Sequence, residues 1–150
     1  MGFEEDNILI VEPGTPKSSK YLSFARDFYI SRGAKIVAPC PHLHHCPLKE
    51  GDWCHFTVRV ERNKIHKLVK EADVPFEDEK YSYLFISKED VGSFDNTVLR
   101  KPIIQNGFIP LNLCSSSGEQ KEIKITKKSI FSAIIMMLSF FCIIASNKLT

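Results

Sequence analysis

The chain has 150 residues, a formal net charge of +2 and a hydrophobic share of 43%. That is one domain's worth of sequence, with enough apolar content for a core. The balance of charge is too even to name a partner by itself. The N-terminus, MGFEED, is acidic and lacks an apolar run, so neither a secretory leader nor a transit peptide is expected from it.

The first element is ILIV at residues 8–11. An unbroken apolar run of this kind predicts a strand buried on both faces, as in a parallel sheet. EPGTP follows, with Thr15 as a helix N-cap and Pro16 at the first helical position. Tyr21, Ala25, Phe28 and Tyr29 mark the inward face of that helix, and Gly33 ends it. KIVAP at 35–39 is the next strand. Together these predict a β-α-β unit with a right-handed crossover and a partly parallel sheet.

Residues 57–71 read as partly helical, with Ile65, Leu68 and Val69 turned inward. Glu77, Asp78 and Glu79 read as a charged turn before a strand at 81–87. A polar loop without clear pattern leads to a hairpin, FIPLNL at 108–113 and KEIKIT at 121–126, turning at SSSGEQ. Residues 130–146 carry no charge and are preceded by Lys127 and Lys128. This tail is short for a membrane span. It reads as a membrane-contacting segment, as a buried C-terminal helix, or as sequence foreign to the domain. The division is therefore a domain over 1–128 and an apolar tail over 129–150.

The densest chemistry lies in APCPHLHHCPLKEGDWCHF, residues 38–56, where the second strand leaves the sheet. In α/β proteins that is where sites are built. Cys40, Cys46 and Cys54 are spaced C-x5-C-x7-C, and Cys114 stands far downstream. An odd number of cysteines without a leader argues against a disulfide framework. Four soft thiolates suit zinc or an iron–sulfur cluster. Zinc sites usually carry paired cysteines two to four residues apart, which this chain lacks. Spacing alone does not choose the metal. Pro39, Pro41 and Pro47 stiffen the loop and lower the entropy of holding ligands in place. His42, His44 and His45 fit a solvated loop, Trp53 fits a packing role over the site, and Cys142 in the tail reads as a small hydrophobe. A catalytic thiolate paired with histidine is a competing reading, but clustered cysteines point to ligands.

Directly after the loop, Arg59, Arg62, Lys64, Lys67 and Lys70 face a single acid, Glu61. Such a stripe attracts phosphate backbones by counterion release, and it is equally what a solvated helix face looks like. No two of the seven glycines form a GxG turn, and there is no P-loop or GxSxG, so no cofactor-binding loop is visible.

VEPGTPKSSKYLSFARDFYISRGAKIVAPCPHLHHCPL, GDWCHFTVRVERNKIHKLVK and PFEDEKYSYLFIS resemble the methyltransferase-like protein 17 family of the mitochondrial small ribosomal subunit, over residues 8–127. The resemblance implies a partial class I methyltransferase-like (Rossmann-like) α/β sheet with a cysteine-rich loop and a late hairpin. It also implies a [4Fe–4S] cluster on Cys40, Cys46, Cys54 and Cys114, a mitochondrial address, and work in small-subunit assembly and translation on rRNA. By that resemblance the chain is expected to start late in the family's fold, after the S-adenosylmethionine region. Methyl transfer by this chain alone is thus not expected. An S-adenosylmethionine-dependent rRNA methyltransferase in a longer form, and a zinc-stabilised interaction module, are the competing readings.

Overall fold

The computed structural model describes residues 6–71, 74–90, 92, 94–126 and 143–144. Over these the chain is mixed α/β and mostly strand, with two sheets whose pairings are all antiparallel.

The first sheet is organised around one long strand. β1 (Asn7–Pro13) leads into α1 (Pro16–Ile30), and β2 (Lys35–Ala38) follows. β3 (Phe56–Glu61) and a short helix α2 (Lys64–Val69) precede β4 (Phe76–Ser87). β4 pairs with β1 along Tyr81–Ser87 on one side. On the other side it pairs with β2 near Phe85–Ser87 and with β3 along Phe76–Tyr81. Tyr81 faces Pro13 across one edge and Phe56 across the other, which fixes β3 on the β2 side. The loop over 39–55 therefore springs from the gap between two strands on the same edge of β4.

The expected β-α-β unit is present with one correction. β1 and β2 run in the same direction, but β4 lies between them and is antiparallel to both. A strand more than forty residues downstream takes the central place, which local periodicity does not encode. β1 is likewise not buried on both faces. Its inward side chains alternate, with Ile8 and Ile10 packed against the core and Leu9 and Val11 exposed.

α1 begins as its sequence predicts. Thr15 accepts from the Ser18 amide at 3.2 Å, and Pro16 follows it. The buried face differs from expectation. Leu22 and Arg26 are buried and Ala25, Tyr29 and Ile30 pack on the core with Ile36, Leu84 and Ile86, whereas Tyr21 and Phe28 lie in solvent. The aromatic signal pulled the expected stripe one position round the helix.

The β1–α1 turn sits hard against β4. A Cβ at Gly14 would fall 2.6 Å from Lys80 Cβ and 2.7 Å from the Lys80 carbonyl carbon and the Tyr81 amide nitrogen. Backbone cannot yield there. Gly14→Ala is expected to cost about 1–3 kcal/mol, the usual range for overpacking. Thermal unfolding beside the wild type checks it, and an unchanged midpoint would refute the close approach.

The second sheet runs β7-β6-β5-β8, from β5 (Asn96–Val98), β6 (Phe108–Ser115), β7 (Gln120–Thr126) and β8 (Ile143–Ile144). β6 and β7 are the expected hairpin, somewhat longer than its sequence core. Val98, Ile109, Leu111, Leu113 and Ile125 form its core. β5 lies in what reads as patternless loop, being three residues long and polar at two of them. Of the apolar tail, 130–146, only β8 lies among the described residues, so the membrane-contacting and buried-helix readings of the rest fall outside them; among the described residues no helix is long and apolar enough to cross a membrane.

The 57–71 segment also departs from expectation. Its first part is strand β3, and Ile65, Leu68 and Val69 of α2 are 70, 80 and 75% exposed. A six-residue helix at the rim has no second layer to pack on. Glu77, Asp78 and Glu79 are not a turn but the first half of β4, opposite Val60, Arg59 and Val58.

Candidate functional site

The cysteine loop joins the two sheets. The Thr97 hydroxyl of β5 donates to the Pro39 carbonyl, and Arg100 pairs with Asp52. His42 Nε2 lies 3.3 Å from Cys114 Sγ of β6. Gly118, in the β6–β7 turn at φ +78°, approaches His44 so closely that a Cβ would lie 3.1 Å from that side chain. Residues remote in sequence therefore converge on one loop.

Cys40, Cys46 and Cys54 line one cavity of about 440 Å³, together with Arg26, Pro39, Leu48 and Trp53. All three are half-buried free thiols, and Cys114 is a buried one. Burial pushes the Cys40 thiol up, while the charge of the nearby Arg26 guanidinium pulls the other way. Burial, with Cys40 and Cys46 nearby, pushes Cys114 up to about 12. The three cysteines are thus within electrostatic reach of one another across the loop. Among the described residues, no three His, Cys, Asp or Glu side chains converge closely enough to hold a single metal ion.

Arg26 is the residue that sequence reading missed. It is 3% exposed and comes from the inner face of α1. Its Nη2 donates to the carbonyls of His42 at 2.9 Å and His44 at 2.7 Å, so it pins the loop in the middle. Its Nε is buried with no hydrogen-bond partner among the described residues. A buried donor without an acceptor is costly, and an anionic group in the cavity would supply one. The available signal was a lone arginine four residues after Leu22 on the inner face of a helix.

The other loop residues divide cleanly. His42 is buried, and burial with the Arg26 charge lowers its pKa, so it stays neutral. His44 and His45 are exposed. Trp53 walls the cavity as expected, donating from Nε1 to the Gly14 carbonyl at 3.0 Å and stacking on His55 at 5.0 Å. His55 Nδ1 donates to the Trp53 carbonyl at 3.1 Å, and burial lowers its pKa.

The basic stripe is partly neutralised. Arg62 pairs with Glu77 at 3.0 Å, and Lys70 pairs with Glu77 and, at 3.3 Å, with Glu79. Arg59 lies over the Phe76 ring at 5.4 Å. Lys64 and Lys67 on α2 make no ion pair among the described residues. The Glu77 carboxyl is held down to about 2, first by the Lys70 hydrogen bond and then by that of Arg62. A depressed carboxylate stabilises the fold above its ordinary value and loses that contribution as pH falls through the folded one. Glu77→Gln is therefore expected to lower the melting midpoint at neutral pH and to converge with the wild type near pH 2. Parallel melting curves across that range, offset equally at every pH, would contradict it.

The architecture defines a strand-rich α/β protein whose thiol-lined loop ties two antiparallel sheets together. Within that class its membership is specific: a family model for the mitochondrial small ribosomal subunit protein Rsm22 matches residues 3–134. The chain belongs to the mitochondrial small ribosomal subunit Rsm22 family, as the resemblance implied, and so to a family of small-ribosomal-subunit function. No curated protein matches it.

Proposed function

We propose that this chain is an iron–sulfur-binding, methyltransferase-like factor of mitochondrial small ribosomal subunit assembly and translation, working in the mitochondrion and contacting rRNA. The carrying observation is one cavity lined by Cys40, Cys46 and Cys54, with Cys114 brought beside it and the unpartnered Nε of Arg26 in its wall. The donor set suits the group. A [4Fe–4S] cluster takes four cysteine thiolates and spreads them over its own inorganic core, which fits three thiols lining a cavity of about 440 Å³ and a fourth, Cys114, close to two of them. When bound, the cluster supplies a cross-link between β2, the loop and β6. Arg26 offsets the thiolate charge and His42 orients Cys114. Because burial pushes the Cys40 and Cys114 thiols up, metal must displace their protons, so loading weakens as pH falls.

The methyltransferase-like reading is supported by the sheet order. β4 stands antiparallel between β1 and β2, which run in one direction on either side of it. Catalysis is not assigned to this chain, since no glycine-rich turn follows β1; S-adenosylmethionine is reserved for a longer family member. For rRNA, Arg59, Lys64 and Lys67 are the available cations. Arg62 and Lys70 contribute only where phosphate displaces Glu77 and Glu79.

Iron, sulfide and zinc content of the anaerobically purified chain tests the proposal. Iron and acid-labile sulfide in equal amounts, about four of each per chain, are expected. Stoichiometric zinc without iron would overturn the cluster and favour a zinc-stabilised interaction module.

A further inference from the structure

α1 turns Leu22, Arg26 and Tyr29 to the sheet and leaves a second, differently built face in solvent. Tyr21, Phe24 and Phe28 on that outer face are 58, 63 and 49% exposed. Each ring carries a cation. Lys17 Nζ lies 5.9 Å from the Tyr21 centroid, Lys20 Nζ 5.9 Å from Phe24, and the Arg32 guanidinium 3.5 Å from Phe28. Every pair is four residues apart, the separation at which helical side chains meet. At 1.5 Å rise per residue the three ring positions are spaced about 4.5 and 6 Å along the axis. The one acid on this face, Asp27, is paired with Arg26.

Exposed apolar groups in a contiguous row mark an interaction surface. An apolar protein partner would be served by aliphatic side chains and would gain nothing from a cation on every ring. The complementary ligand has flat faces at regular intervals and a negative charge beside each. Single-stranded RNA has both, and its unpaired bases are free to stack on aromatic side chains. Duplex RNA keeps its bases stacked inside and offers phosphates, 2′-hydroxyls and base edges but no base face for a ring to stack on.

We propose that the outer face of α1 binds single-stranded RNA, with Tyr21, Phe24 and Phe28 stacking bases and Lys17, Lys20 and Arg32 holding the phosphates. The inference deepens the rRNA reading and names a surface separate from the basic segment around α2; it does not depend on the cysteine site.

The test is fluorescence anisotropy of the full chain with a short, mixed-sequence single-stranded oligoribonucleotide and with its duplex. Replacing Tyr21, Phe24 and Phe28 by leucine keeps the helix and its apolarity and removes the π faces. Affinity for the single strand is expected to fall at least about tenfold, a single base–aromatic stack being worth roughly that much. Phe24→Leu alone should move in the same direction, so the outcome does not hang on one multiply substituted chain. Replacing Lys17, Lys20 and Arg32 by glutamine should lower the slope of log affinity against log salt by about 2, at about 0.7 per single-strand phosphate contact. Wild-type binding by the leucine variants, or equal competition by the duplex, overturns the proposal. If Lys64→Gln with Lys67→Gln abolishes binding while the leucine variants retain it, the α1 surface is refuted and the α2 segment remains the RNA contact. Absence of binding by the wild type refutes both.

Discussion

Cys114→Ser is expected to cut bound iron and sulfide at least about tenfold, because even an outer partner of a metal ligand is commonly worth 10–100-fold in metal affinity. The position makes the result informative. Cys114 sits on β6 in the second sheet, opposite Thr97, while the other three thiols belong to a loop of the first sheet. Losing it breaks the closure between sheets. In metal-free protein the same change should be mild, about 1 kcal/mol. Serine fills a similar volume, and its hydroxyl can keep a hydrogen bond to His42, which now stands 3.3 Å from the sulfur. The diagnostic is therefore a difference of differences: a large drop in melting midpoint for anaerobically loaded protein and a small one for the chelated chain. Equal iron in wild type and variant would remove Cys114 from the ligand set. An equally large drop in both states would make Cys114 a packing residue only.

Arg26→Met should be the most damaging single change outside the cysteines. The guanidinium is buried, and its bonds to the His42 and His44 carbonyls hold the loop at its centre. Hydrogen bonds to charged groups are worth about 1.5–3 kcal/mol each. Methionine fills much of the volume and returns some apolar burial. The net loss should be about 3 kcal/mol, or about 6–12 °C in melting midpoint for a chain of this length. Arg26→Lys should recover only part of it, because a single ammonium does not present the fork that spans two carbonyls. A shift below about 2 °C for Arg26→Met would show that the loop is held by its links to the second sheet instead. Retained iron in a destabilised variant would separate the structural role of Arg26 from any role beside the thiolates.

Both predictions turn on residues that the primary structure advertises very differently. Cys40, Cys46 and Cys54 were candidate ligands by type and clustering and Cys114 by type and by the resemblance, and the first three share a cavity wall. Arg26 carried no such mark: in a helix otherwise read by its aromatic residues, one arginine looks solvated. The basic segment shows the reverse error. Arg62 and Lys70 are as basic as Lys64 and Lys67 in sequence, but antiparallel pairing of β3 with β4 brings Glu77 and Glu79 against them.

What the sequence determined by itself was local: the Thr15-Pro16 start of α1, strands at 8–11 and 35–39 that the structure bounds at 7–13 and 35–38, the β6–β7 hairpin, and the soft donors of the 38–56 loop whose motifs also carried the family. Each depends on neighbours within a few residues, where capping, turn chemistry and periodicity act. Tertiary structure alone decided that β4 inserts between β1 and β2, that Cys114 and His42 meet, that Arg26 is buried and Tyr21 and Phe28 are not, and which of the basic residues at 59–70 find acids among the described residues. Those outcomes depend on which surfaces are removed from water when distant segments pair. That is set by the whole chain's burial and hydrogen-bond satisfaction rather than by any window of it.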